Sequence, residues 1–164
     1  PLPGEHLIYD ALAAIAAAKI LGLKKRSIKN GLENYHSSSR RMEVINRTDG
    51  VKIINDTYNA NPQSMAAALK ILPAIEGRRV AVLGDMLELG RRAKKAHGRI
   101  IRLTKELKLD KVFTFGSLWP AATRPFRDKK ALIKELKKLI RPRDIILIKG
   151  SRGTRMEEVV DAIR

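Results

Sequence analysis

The feature of this sequence that most restricts its fold is the alternation of short apolar runs with helical patterns from Met42 onward. The later runs, such as Val80–Leu83 and Ile145–Ile148, are continuously apolar. Such runs are typical of parallel strands covered by helices on both faces. The pattern predicts an α/β fold with a doubly wound, Rossmann-like, mostly parallel sheet and right-handed crossovers. The predicted strands are 42–47, 51–55, 79–83, 111–115 and 144–148, and the predicted helices are 62–75, 94–107, 129–140 and 154–163.

Two further features precede the alternating part. Thr48-Asp49-Gly50 lies between the first two predicted strands and predicts a β-hairpin. Upstream, a helix over 6–22 ends at Gly22, and a shorter helix over 27–35 starts with Ser27 as its N-cap. The first helix is apolar almost all round, which predicts burial on several sides. We expect a small helical segment over 1–38, the end of a preceding domain, and an α/β domain over 39–164, with a polar linker between them.

Net charge is the most unusual property of the composition: 34 Lys and Arg residues face 17 Asp and Glu residues, a net charge of +17. A phosphate-rich partner such as nucleic acid is one interpretation. Solvated basic helix faces are the other, and helical spacing favours it for Arg91, Arg92, Lys94, Lys95, Arg99, Arg102, Lys105, Lys129, Lys130, Lys134, Lys137 and Lys138. Aromatic residues make up only 4%, so stacking platforms for nucleic acid are scarce.

Several functional classes are disfavoured by residues the chain lacks. It has no cysteine, so it has no disulfide and no thiolate metal site. No apolar run is long enough to cross a bilayer, and the first residues do not resemble a signal peptide. His6, His36 and His97 are too scattered for a metal site, and we expect His97 at the surface. A cytoplasmic location is compatible with these features.

Polar and glycine-rich segments follow the predicted strands, where ligands gather in sheets of this type. In the segment 55–61, Asn61 is a good N-cap with Pro62 after it, whereas Asp56 could instead hold a ribose. The loop Lys149–Gly153 combines two cations with glycines before a helix, which favours an anion site over a simple tight turn.

Two other positions leave alternatives open. Asp85 and Glu88 could bind Mg²⁺ or an ammonium group, but a turn followed by a helix start is the favoured interpretation. Arg41 is either a solvated linker residue or a phosphate ligand.

Four ordered motifs cover most of the residues from Arg41 to the last residue. They are Arg41-Met-Glu43, Asp56-x-Tyr-Asn-Ala-Asn-Pro62-x-Ser64-Met, Val82-Leu-Gly-Asp-Met-Leu-Glu-Leu-Gly90 and Lys149-Gly-Ser-Arg-Gly-x-Arg-Met-Glu157. Together they resemble the C-terminal domain of the Mur ligases, and the second and fourth resemble members that add D-alanyl-D-alanine. Gly4-Glu-His6 with Asp10-Ala-Leu-Ala resembles the last long helix of the family's central ATPase domain.

The resemblance implies an ATP- and Mg²⁺-dependent ligase of cell-wall precursor synthesis. It implies that a UDP-linked muramoyl peptide is activated as an acyl phosphate, which the amine of D-alanyl-D-alanine then attacks. Nucleotide-binding residues implied by the resemblance are Arg41, Asp56, His6 and Asp10. Implied substrate-binding residues are Tyr58, Asn59, Asn61, Ser64, Lys149, Ser151 and Arg152. No catalytic residue and no metal ligand is assigned within this chain.

Other expectations concern the rest of the protein and the alternatives. The phosphate-binding loop, the Mg²⁺ ligands and the UDP-binding domain are expected in N-terminal and central domains outside this sequence. A polypeptide with this sequence alone is expected to be monomeric, to bind ATP weakly and to catalyse nothing. A Mur-like ligase for a pseudomurein-type wall, with a different amino acid, is one alternative function. A basic Rossmann-like module that binds nucleic acid is the other.

Overall fold

The computed structural model describes residues 6–35 and 39–164, with side chains described from residue 8 onward. The chain divides into two compact units, Pro1–Ser38 and Ser39–Arg164. Among the described residues, no helix is long and apolar enough to span a membrane.

The first unit contains the helices α1 (His6–Ile20) and α2 (Lys25–Glu33). Gly22, at φ +76°, ends α1 in the left-handed conformation that favours glycine. Apolar side chains of α1 are exposed, including Ile8, Tyr9 and Ile20 at 57%, 70% and 86%. The predicted N-cap at Ser27 is wrong, because α2 begins two residues earlier and its N-cap position is Lys24, which makes no side-chain capping bond.

The second unit is built on a five-stranded sheet. Its strands are β1 (Glu43–Asn46), β2 (Lys52–Asp56), β3 (Arg79–Gly84), β4 (Lys111–Phe115) and β5 (Ile145–Lys149), in the spatial order β1-β2-β5-β3-β4. The β1–β2 pair is antiparallel and the other pairs are parallel. Gly50, at φ +82°, closes the hairpin between β1 and β2. The predicted Rossmann-like sheet with its N-terminal hairpin is confirmed.

Helices cover both faces of this sheet, as the continuous apolar strands require. The helices α3 (Pro62–Ile71) and α4 (Ala93–Glu106) share one core cluster with Leu83 and Leu147. The helices α5 (Lys129–Leu139) and α6 (Glu157–Ile163) share the other with Val82 and Ile148. Successive residues of a strand point to opposite faces, so adjacent apolar residues of β3 and β5 serve two separate cores.

Two predicted helices are shorter in the structure. The helix after β2 ends at Ile71 and continues as a 3₁₀ turn over Leu72–Ala74, because Pro73 lacks the N–H that a regular α-helix needs. The last helix begins at Glu157 rather than Thr154, since a 3₁₀ turn over Arg152–Thr154 and a left-handed Arg155 precede it.

The basic side chains of α4 and α5 lie mainly on their solvent faces, as predicted. The prediction for His97 is wrong: its side chain is fully buried. His97 lies in the apolar stripe of α4 with Ala93, Ala96 and Ile100, so helical periodicity places it inside despite its basic neighbours.

An ion pair lies at the amino ends of β3 and β5, opposite the carboxyl ends of the parallel strands. Arg78 donates from Nε and Nη2 to the two carboxylate oxygens of Asp144 at 2.8 and 2.6 Å, and the Asp144 side chain is 1% exposed. The same carboxylate accepts from the Arg141 N–H at 2.8 Å. Hydrogen bonding to Asp144 raises the pKa of Arg78 above its ordinary value.

We predict that Asp144→Ala destabilises the second unit by about 3 kcal/mol, because the change leaves a partly buried guanidinium without its partner. Urea unfolding of the 164-residue chain measures the effect. Glu135→Ala is the matched control, since Glu135 pairs with Lys138 at 2.9 Å on the surface with side chains about half exposed. Its unfolding midpoint should stay unchanged. Equal losses in the two variants would contradict the prediction.

Candidate functional site

The carboxyl ends of β2, β5 and β3 lie side by side, and the loops after them meet at one edge of the sheet. After β2 the chain forms β3 and then β4, each farther from β2 in the sheet. It then returns, and β5 lies between β2 and β3. Connections therefore reverse direction next to β5. A crevice at such a switch point is where open α/β sheets bind ligands.

A buried ion pair joins the ends of β2 and β5. Lys149 Nζ lies 2.5 Å from Asp56 Oδ2, and the two side chains are 3% and 12% exposed. Asp56 Oδ1 accepts from the Met42 N–H at 3.2 Å, and Lys149 also donates to the Asn59 carbonyl at 3.0 Å. Lys149 is therefore already paired in this structure, and its predicted substrate contact stays a prediction. The ribose contact of Asp56 stays a prediction.

The loop after β2 ends in a helix cap. Asn61 Oδ1 accepts from the Ser64 N–H at 2.8 Å, and Ser64 Oγ accepts from the Asn61 N–H at 3.1 Å. Pro62 follows at the first helical position, so the predicted cap is confirmed. Asn59 Oδ1 accepts from the next N–H, that of Ala60, at 2.8 Å. Direct substrate contacts by Asn59, Asn61 and Ser64 stay predictions.

Ser151 ties three loops together at the centre of the edge. Its Oγ donates to the Ala60 carbonyl at 3.0 Å and accepts from the Leu87 N–H at 2.8 Å. Its own N–H donates to the Asp85 carbonyl at 3.0 Å. The predicted set of free amides in this loop is thus wrong at Ser151, because the loop after β3 already occupies that donor.

Close backbone packing holds the same loop against β3. A Cβ added to Gly150 would lie 2.6 Å from Thr154 Oγ1 and 3.0 Å from the Gly84 Cα. Neither Gly84 nor Gly150 has room for a side chain. These two glycines therefore allow the ends of β3 and β5 and the 3₁₀ turn to pack closely together.

Asp85 organises the neighbouring loop after β4. It is 5% exposed, and its carboxylate accepts from the Ser117 N–H at 2.8 Å and the Leu118 N–H at 3.2 Å. Glu88 is exposed and lies at φ +64°. These bonds support the turn interpretation of this segment. Among the described residues, no group of three or more His, Cys, Asp or Glu side chains could hold a metal ion.

The buried His97 links the loops after β3 and β4. Its Nε2 accepts from the Met86 N–H at 2.9 Å, which leaves Nδ1 as the donor to the Ala93 carbonyl at 2.8 Å. The Trp119 ring packs edge-on against it, with centroids 4.6 Å apart. Sequence reasoning missed this role, although the helical stripe of α4 carried the signal.

Two exposed arginines, Arg41 and Arg152, lie near these loops. The Arg41 guanidinium lies 4.1 Å from the centroid of the Tyr58 ring, and Tyr58 is 48% exposed. The Tyr58 N–H donates to the Arg40 carbonyl at 3.0 Å, which attaches the turn at 39–42 to the loop after β2. Arg152 is exposed and pairs with Glu157 at 3.1 Å.

The two remaining predicted nucleotide residues belong to the first unit. Asp10 is exposed on α1, and the side chain of His6 lies outside the described residues. Their nucleotide contacts stay predictions.

This fold, with polar loops and exposed arginines at the switch point of the sheet, defines a Rossmann-like α/β domain. The family model described as "Mur ligase, glutamate ligase domain" matches residues 40–152. The chain therefore belongs to the Mur ligase family.

Individual relatives agree with this assignment. The chain is 39% identical over 172 residues to the UDP-N-acetylmuramoyl-tripeptide–D-alanyl-D-alanine ligase of Escherichia coli (strain K12), covering 100% of this chain and 38% of the relative. It is 34% identical to the structure of the UDP-N-acetylmuramoylalanyl-D-glutamyl-2,6-diaminopimelate–D-alanyl-D-alanyl ligase from Acinetobacter baumannii, with a TM-score of 0.88, covering 98% of this chain and 37% of the other.

A third relative was solved with a nucleotide. The MurF ligase from Thermotoga maritima in complex with ADP is 25% identical, with a TM-score of 0.84, covering 98% of this chain and 38% of that one. Nucleotide binding thus occurs within the family. The chain spans less than two fifths of the length of each of these relatives.

We predict strong energetic coupling between Asp56 and Lys149. Lys149→Met alone strands a buried carboxylate and should cost about 3 kcal/mol of unfolding free energy, whereas adding Asp56→Asn should recover part of that loss. Urea unfolding of the original chain, both single variants and the double variant measures the coupling. Strictly additive losses would show that the pair is not coupled.

Proposed function

We propose that this chain is the C-terminal part of an ATP-dependent ligase that joins D-alanyl-D-alanine to a UDP-linked muramoyl tripeptide. The observation that carries the proposal is an exposed arginine, Arg41, held at the switch-point edge of a domain of the Mur ligase family. Support for the particular substrate comes from 39% identity to a relative that carries this activity in its name.

In the proposed reaction, the γ-phosphoryl group of ATP passes to the peptide carboxylate, giving an acyl phosphate and ADP. The amine of D-alanyl-D-alanine attacks the acyl carbon, and the C–O bond to phosphate breaks as the amide forms. The amine loses a proton and inorganic phosphate leaves. Negative charge develops on phosphoryl and carbonyl oxygens in both steps, so positioned cations lower the barrier.

This chain's part is to position cationic and polar groups rather than to transfer protons. Arg41 would contact the nucleotide phosphates when the domain closes on the ATP-binding domain. Tyr58 supports its guanidinium through a cation–π contact. The loops that contain Asn59 and Arg152 would form the wall of the dipeptide site, with Ser151 and Lys149 holding those loops in place.

ATP and Mg²⁺ would be held mainly by the other domains of the parent enzyme, with Asp56 near the ribose. Because the reaction consumes ATP, we propose a cytoplasmic location.

We predict that Arg41→Ala in the full-length ligase raises the KM for ATP or lowers kcat, so that kcat/KM falls about 10- to 100-fold, the size expected for losing one charge-assisted phosphate contact. ATP-dependent phosphate release in the presence of both substrates measures it. Arg99→Ala, which removes an exposed arginine from α4, should leave the rate unchanged.

Folding must be excluded as the cause of any loss. Arg41 is exposed, so the unfolding midpoint of the Arg41→Ala variant should match that of the original protein. Full activity of this variant would refute the proposed phosphate contact.

A further inference from the structure

Two of the sequence motifs end in a glutamate, Glu43 and Glu157, and one arginine contacts both. The Arg40 N–H donates to Glu43 Oε2 at 3.1 Å, and Arg40 Nη1 donates to Glu157 Oε1 at 3.4 Å. Neither glutamate has a role in the proposed reaction. Through Arg40, however, Glu157 connects the turn at 39–42 to the loop after β5.

One oxygen of Glu157 serves two cations. Glu157 Oε1 also accepts from Arg152 Nη1 at 3.1 Å. Oε2 of the same carboxylate is buried, and among residues 6–35 and 39–164 it has no hydrogen-bond partner. A carboxylate binds a guanidinium most strongly when both oxygens accept from it. Because Arg40 and Arg152 share a single oxygen, neither pair has this arrangement.

The two arginines differ in how accessible they are to a ligand. The Arg152 side chain is 59% exposed and that of Arg40 is 34% exposed, whereas the Glu157 side chain is 13% exposed. An anionic ligand therefore reaches Arg152 more easily than Arg40. When such a ligand binds Arg152, the buried carboxylate loses one of its two donors and can receive Arg40 through both oxygens. Repulsion between the two guanidinium groups favours this exchange.

The backbone of Arg40 is strained. Its φ is +67°, in the left-handed region that residues other than glycine rarely adopt. Its carbonyl accepts from the Tyr58 N–H, and the next residue is Arg41, whose guanidinium lies over the Tyr58 ring. The ion pair with Glu157 therefore acts on the turn that carries Arg41. Strained residues of this kind persist where their surroundings fix them, and they cluster at functional sites.

The helix dipole alone does not explain Glu157. It is the first residue of α6, where the dipole favours an acidic side chain. The next residue, Glu158, has the same advantage but is more exposed, and it pairs with Lys129 and Arg155. Glu157 is instead buried between arginines from two separate loops, at the cost of part of its hydration.

We infer, on the basis of the proposed function, that Glu157 is a positioning residue that couples the binding of D-alanyl-D-alanine to the binding of the nucleotide. The carboxylate of the dipeptide binds Arg152, and Glu157 then pairs fully with Arg40. The turn at 39–42 consequently holds Arg41 more firmly in place for the nucleotide phosphates. Coupling between two binding sites is reciprocal, so bound nucleotide raises the affinity for the dipeptide by the same factor.

The experiment measures this coupling at equilibrium in the full-length ligase. Isothermal titration gives the Kd of a non-hydrolysable ATP analogue with Mg²⁺ and the UDP-linked tripeptide present, first without D-alanyl-D-alanine and then with a saturating concentration of it. The ratio of the two Kd values is the coupling factor. The variants are Glu157→Gln and Arg40→Gly, alone and combined. Glu158→Gln is the matched control, because Glu158 contacts neither Arg40 nor Arg152.

The original ligase should show a coupling factor of about 5, at the lower end of the range usual for coupled sites. Glu157→Gln and Arg40→Gly should each reduce it to less than about 2, and the double variant should lose no more than either single variant, because all of them break the same connection. Glu158→Gln should retain the factor. Arg40→Gly should leave the Kd measured without dipeptide almost unchanged, since glycine adopts the left-handed conformation of this turn without strain.

Urea unfolding of the 164-residue variants shows whether a loss of coupling reflects a loss of folding. The midpoint of Arg40→Gly should equal or exceed that of the original chain, because the backbone strain is relieved. This variant therefore decides the outcome even where Glu157→Gln is unstable.

Three results would overturn the inference: a coupling factor of 1 in the original ligase, a factor that Arg40→Gly and Glu157→Gln retain, and an equal loss in Glu158→Gln. Failure of the dipeptide to bind at all would overturn the proposed function as well. Dipeptide binding with unchanged coupling in the variants would overturn the role of Glu157 alone.

Discussion

The ion pair between Asp56 and Lys149 is the interaction on which the arrangement of the site depends. These residues are register partners at the ends of β2 and β5, so the pair fixes those two strand ends at the switch point. Lys149 also holds the Asn59 carbonyl, and Asp56 holds the Met42 N–H. One buried contact therefore positions both the loop after β2 and the turn that carries Arg41. Further hydrogen bonds help to stabilise a pair this buried, and here Asp56 accepts from the Met42 N–H while Lys149 donates to the Asn59 carbonyl.

The polar residues at this edge of the sheet are of two kinds, which differ in their solvent exposure. Ser151 and Asp85 are buried, fully engaged with neighbouring backbone groups, and serve to fix the loops. Arg41 and Arg152 are exposed and lie on those fixed loops. Exposed groups on a rigid support can bind an anionic ligand without first being ordered, which lowers the cost of binding.

The sheet could be predicted from sequence because continuous apolar runs require cover on both faces, and that requirement is local. The insertion of β5 between β2 and β3 could not, since nothing in Ile145–Ile148 specifies which strands it joins. For that reason the sequence alone predicts Lys149 as a free cation rather than as the partner of Asp56. The burial of His97 could have been predicted, because its position falls in the apolar stripe of α4. The lysines and arginines on either side of it in the sequence suggested a surface position instead.

The exposed basic residues have different surroundings in the structure. Arg99 and Arg102 lie on the solvent face of α4, where water screens them and no ligand is required. Lys94 and Arg127 have the same exposure but border a concave, partly apolar surface that contains no carboxylate. Total charge does not distinguish these two sets. Position on the fold does, because only Lys94 and Arg127 lie beside a concave surface next to the carboxyl end of β4.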